Sequence, residues 1–87
     1  MPYCYTLLQT RSQAFILERR MKSAGVPCEL TFMPRELMKD LCNLGVRFND
    51  RELPRAKEVI RSAGLPGCRL YIEIPEPYSS SYEEIFY

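Results

Sequence analysis

Ser23-Ala24-Gly25-Val26-Pro27 and Ser62-Ala63-Gly64-Leu65-Pro66 are one five-residue signal written twice in an 87-residue chain. Each combines a glycine suited to the left-handed position after a last helical turn, an apolar residue placed to pack back, and a proline that blocks continuation. Each therefore marks a place where a helix stops and a strand is about to begin. Convergence on the same chemistry would explain the likeness too, since many helices end this way, but it predicts the same order of elements.

Upstream of the first signal, Ala14, Leu17, Met21 and Ala24 recur at helical spacing, with Arg19, Arg20 and Lys22 on other faces. Thr10 stands three residues before Gln13, a capping-box pattern. Upstream of the second, Leu53, Ala56, Val59, Ile60 and Ala63 give the same period. Asn49 or Asp50 can cap that helix, although Pro54 disfavours helical geometry at Leu53 and leaves its start open.

Between the helices lie strand-like runs. Tyr3 to Leu8 is aromatic and aliphatic, Cys28 to Met33 alternates, Leu44 to Phe48 is short and alternating, and Leu70, Ile72 and Ile74 alternate with Arg69, Tyr71 and Glu73. At a separation of 39 residues Thr10 matches Asn49, Ala14 matches Leu53 and Met21 matches Ile60. One inserted residue, Gly67, then aligns Cys28-Glu29-Leu30 with Cys68-Arg69-Leu70. Two such βαβ halves predict an α+β, ferredoxin-like βαββαβ domain over residues 1–74, with a four-stranded antiparallel sheet and two helices on one face. Pro34 to Asn43 connects the halves, with room for one helical turn.

Residues 75–87 read as a C-terminal tail. Glu76-Pro77-Tyr78-Ser79-Ser80-Ser81 has linker composition, and Tyr82 to Tyr87 is amphipathic, with Ser81 and Glu84 placed to cap a single turn. The tail can fray, or pack on its own sheet or on a partner's.

Composition narrows the function classes. A chain this short buries roughly 60 % of its unfolded surface, and 46 % hydrophobic residues suit a globular fold. A net charge of +1 argues against DNA or a membrane surface as partner. All 12 basic residues precede Pro75 together with eight acids, so that part carries +4 and the tail is acidic. Met1-Pro2-Tyr3 has no basic leader and no apolar run is long enough to span a bilayer, so a cytoplasmic location with reduced thiols is expected. Without histidine, a glycine-rich phosphate loop or an evident carboxylate pair, conventional hydrolase or transferase chemistry and a cofactor are not expected.

The four cysteines, Cys4, Cys28, Cys42 and Cys68, are spaced 24, 14 and 26 residues apart, with no Cys-x-x-Cys pair, so no metal site is expected. Cys28 and Cys68 match across the repeat at strand starts, which favours packing. Cys42 falls in the connection between the halves. Following the chain puts it at the sheet end where the first helix begins, at Thr10 and Arg11, with Arg35 and Lys39 as possible neighbours. A helix N-terminus and nearby cations lower a thiol pKa.

Pro34-Arg35-Glu36-Leu37, then Cys42 and Leu44-Gly45-Val46-Arg47-Phe48, resemble the selenium/sulfur carrier protein-like family. Its members show a Pro-Arg-Glu-aliphatic motif, a polar stretch, a Cys-Gly pair and a short strand ending in Arg. The resemblance runs from about Tyr3 to Ile74. Two features depart from it: Asn43 replaces the glycine, and the polar stretch is one residue longer, with Met38 and Leu41 in it. The resemblance implies a carrier in which Cys42 holds sulfur or selenium as a persulfide or selenosulfide. Arg35 and Arg47 would stabilise the anion or donor, with Asn43, Thr10 and Arg11 nearby; Arg35 could equally be a solvated residue paired with Glu36. The implied partner is a donor such as a cysteine desulfurase or a TusA-like carrier. The competing expectation is a ligand-binding or regulatory module that forms a homodimer through its sheet, whose open face would carry Tyr3 or Tyr5, Thr31, Arg47 and Tyr71. RNA recognition on that face ranks below both, because the third strand offers it only Gly45 and Arg47.

Overall fold

The computed structural model describes residues 2–38 and 43–87. Five strands and two helices follow in the order β1 (Tyr3–Leu7), α1 (Arg11–Ser23), β2 (Glu29–Phe32), β3 (Leu44–Asn49), α2 (Leu53–Ala63), β4 (Arg69–Pro75) and β5 (Ser80–Ile85). All neighbouring strands are antiparallel, in the order β2-β3-β1-β4-β5. The architecture is α+β, and the sheet has five strands where four were expected. The correction comes from the tail: its alternation is of period two, and β5 pairs with β4 from Leu70↔Ile85 to Pro75↔Ser80. No turn forms at Ser81–Glu84.

Both repeated signals do what their chemistry requires. At the end of α1 the Val26 N–H donates to the Met21 carbonyl at 2.9 Å and the Gly25 N–H to the Lys22 carbonyl at 3.0 Å. That closure needs the positive φ of 80° that Gly25 supplies. Gly64, at φ 61°, ends α2 with a single bond from its N–H to the Ile60 carbonyl. At the start of α1 the Thr10 hydroxyl accepts from the Gln13 N–H at 3.1 Å, and the Gln13 side chain accepts from Gln9 at 3.0 Å. Pro54 is accommodated differently from the expectation. A 3-10 turn over Asp50–Glu52, capped by the Asn49 side chain, delivers the chain already wound, and Leu53 is helical at φ −56°, ψ −45°.

The main core lies between the helices and one sheet face. Ala14, Leu17 and Met21 of α1 and Ala56, Val59 and Ile60 of α2 pack on Cys4, Val46, Phe48 and Leu70. Among the described residues Thr6 is the one buried polar residue, and it is satisfied twice. Its hydroxyl donates to the Val46 carbonyl at 3.0 Å and accepts from the Val46 N–H at 3.1 Å. On the other face a smaller cluster forms from Tyr5, Leu7, Met33 and Leu37, with Tyr71 and Tyr82 packed against it. It exists because the residues after β2 fold back across the sheet through a 3-10 turn at Arg35–Leu37.

Gly45 makes that return possible. A methyl group at this position would collide with the Thr6 carbonyl oxygen and the Met33 side chain. Gly45→Ala is therefore expected to destabilise the fold by ~2–3 kcal/mol, read as a lower urea midpoint at unchanged slope.

Candidate functional site

The register of the central strands decides what the sheet end presents. Leu7 lies opposite Gly45 of β3 on one side and Arg69 of β4 on the other. The chain leaving β1, the N-terminus of α1 and the starts of β3 and β4 therefore share one end. Gln9 confirms this proximity, since its side chain fills the space that a Cβ on Gly67 would occupy. The connection between the halves returns to the same end, where the Met33 N–H donates to the Asn43 carbonyl at 2.6 Å.

Of the residues singled out from sequence, Thr10, Arg11 and Asn43 belong to this end. The Thr10 hydroxyl is committed to its cap, and Arg11 is exposed on the first turn of α1. Arg35 is exposed on the 3-10 turn. Cys42 and Lys39 lie outside the described residues. Arg47 is not brought to the group. It sits four residues along β3 from Asn43, roughly 13 Å at the strand rise, opposite Tyr5 and Glu29.

Arg47 instead organises the middle of the second sheet face. Its guanidinium pairs with the Glu29 carboxylate and lies 4.3 Å above the Tyr3 ring centroid. The pair with Glu29, followed by a bond with Tyr5, raises its pKa further despite partial burial. Burial is the larger influence on Tyr5, whose hydroxyl is pushed up although Arg47 opposes the shift. Tyr3 and Tyr5 both face this side, but only Tyr3 is exposed there: Tyr5 is buried under Met33, Leu37 and Tyr82, so the face is not the open one expected. Thr31, Arg47 and Tyr71 share the face with them.

The three described cysteines are packing residues with raised pKa values. Cys4 is fully buried on the helix side of β1, and burial, with a smaller push from Asp50, takes its thiol up to about 11. Cys28 packs at the edge of the main core and is raised chiefly by burial. Cys68 is buried beside Tyr87, whose hydroxyl donates to the Cys68 carbonyl; burial raises this thiol and Tyr87 opposes it. Among the described residues no group of three or more His, Cys, Asp or Glu could hold a metal ion. None of their helices is long and apolar enough to cross a membrane.

Comparison with known proteins adds one finding. The model of the family described as "Putative Se/S carrier protein-like" matches residues 3–76. The chain belongs to this family. No curated protein and no solved structure matches it. In this Se/S carrier-like chain the match covers β1 through β4 and the connection with the Pro34-Arg35-Glu36-Leu37 motif, and it stops before β5.

Sequence reasoning did not find the cluster of Met33, Leu37 and Tyr82. Its trace in the sequence is the odd-numbered series Tyr3, Tyr5, Leu7, which gives the second face of β1 an apolar stripe needing cover.

The Cys4 shift has a stated sign. Its folded pKa lies above the unfolded value, so its contribution is complete below about pH 8.5 and is lost as pH rises toward about 11, up to about 3 kcal/mol. Stability measured by urea unfolding should fall across that window, and Cys4→Ala should flatten the fall.

Proposed function

We propose that this chain is a carrier of sulfur or selenium whose acceptor is Cys42, on a ferredoxin-like βαββαβ core to which β5 is added. The observation that carries the reading is family membership across residues 3–76. The packing of the other three cysteines supports it. Cys4 and Cys68 are buried and Cys28 is half-buried against the main core, each with a raised pKa, so each is a poor nucleophile near neutral pH.

The transfer step needs no net redox change. The Cys42 thiolate attacks the terminal sulfur of a donor persulfide, the new S–S bond forms as the donor's S–S bond breaks, and the donor leaves as a thiolate. The same exchange with selenium gives a selenosulfide. Donors of the right chemistry are a cysteine desulfurase loaded with persulfide or a TusA-like carrier, and a reducing compartment such as the cytoplasm keeps the acceptor thiol free. Arg35, exposed on the turn that opens the connection, is the side chain proposed to draw in an anionic donor. Arg47 is given a supporting role, because Glu29 already balances its charge.

Incubation with a cysteine desulfurase and cysteine should add one sulfur atom at Cys42, located by mass spectrometry after alkylation of the persulfide. Cys42→Ser should abolish the uptake, while Cys28→Ser should leave it within about twofold of wild type. Equal uptake by Cys42→Ser and wild type sinks the assignment.

A further inference from the structure

The strand that lies beyond the family match reaches back to the motif that carries the family resemblance. β5 touches the 3-10 turn at Arg35–Leu37. The two line a cleft of about 430 Å³ together with Tyr71, bounded by Glu36 and Leu37 on one side and Ser80, Ser81 and Tyr82 on the other. Tyr82 is the β5 residue that packs on the apolar cluster containing Leu37. Its ring meets Tyr5 edge-on at 5.9 Å between centroids and packs on the cluster of Tyr5, Leu7, Met33 and Leu37.

Two members of that cluster hold the base of the connection between the halves. Leu37 is 5 % exposed and anchors the turn, whose N–H bonds run from Leu37 to Pro34 at 2.9 Å and from Met38 to Arg35 at 3.2 Å. Met33 is 4 % exposed; its side chain occupies the space over Gly45 and its N–H holds the Asn43 carbonyl. A 3-10 turn of three residues has little stability of its own. Its order comes from the cluster beneath it, and one side of that cluster is supplied by β5.

We propose that β5 is a latch. Through Tyr82 it holds the Pro34–Leu37 turn and the Met33–Asn43 bond closed, so ordering of the tail strand and ordering of the connection's base are one coupled equilibrium. Coupling of this kind is reciprocal: loosening the turn must loosen β5 to the same degree. Tyr82 is thus a positioning residue. The latch itself does not depend on the carrier reading. Its consequence, that sulfur uptake at Cys42 responds to the tail, does rest on it.

Amide hydrogen exchange followed by NMR on the full chain tests the latch. Tyr82→Ala should speed exchange at Met33, Leu37 and Met38 by about tenfold or more while Leu17 and Met21 of α1 stay protected, and Tyr82→Phe, which keeps the ring, should behave as wild type. If Tyr82→Ala loosens α1 equally, Leu37→Ala decides. The latch requires the β5 amides of Glu83 and Ile85, which face β4 in the ladder, to exchange faster in that variant, ahead of α1. Unchanged exchange at Met33 and Leu37 in Tyr82→Ala, or unchanged β5 amides in Leu37→Ala, overturns it. A wild-type chain that takes up no sulfur while showing this exchange pattern removes the carrier reading and leaves the latch standing.

Discussion

A missing side chain at Gly45 is the constraint on which both faces of this sheet depend. In β3, Val46 and Phe48 face the helices, so Gly45 faces the other way, directly beside the Thr6 carbonyl and beneath Met33. Any Cβ there would push Met33 off the sheet. Because the site is empty, the chain leaving β2 can turn back over the second face, place Met33 and Leu37 against Tyr5 and Leu7, and return to β3 through the Met33–Asn43 bond. Close packing makes this an all-or-none arrangement: a filled gap of methyl size leaves neighbours no cheap way to relax.

The sheet consequently has two cores of unequal size. The larger one, under α1 and α2, is built from ordinary amphipathic periodicity. The smaller one binds together pieces that are distant in the chain: β1, the Arg35–Leu37 turn and β5. It also brings the family's Pro-Arg-Glu-aliphatic motif under the influence of a strand that the family model does not include. The functional interest of the tail lies in that contact, since a three-residue 3-10 turn has little stability of its own.

Electrostatics separates the sulfur atoms by role. Desolvation dominates at Cys4, Cys28 and Cys68, and it disfavours the thiolate in each case. On the opposite face the same principle acts on Arg47 with a different outcome. Its pairing with Glu29 and stacking over Tyr3 stabilise its charge where it lies and fix it as part of the sheet surface, away from Asn43 and the end where α1 begins.

Local chemistry alone determined a good deal of this protein. The two glycine-apolar-proline signals, the Thr10 cap and the period of Ala14, Leu17 and Met21 set two helices and four strands in order, because helix stops, caps and amphipathic faces are decided within a few residues. The matching of Cys28 with Cys68 across the repeat, read as packing, also came from the chain itself. Three matters were settled only in three dimensions. Period two in Ser80–Ile85 is short and polar enough to suit a frayed tail, and it became a strand because β4 offered an unpaired edge. The charge partner of Arg47 was set by pairing register, which placed Glu29 opposite it. Gly45 and Tyr82, 37 positions apart, gained their importance from one small cluster. No local pattern encodes such a meeting, because the burial that rewards it exists only after the sheet has formed.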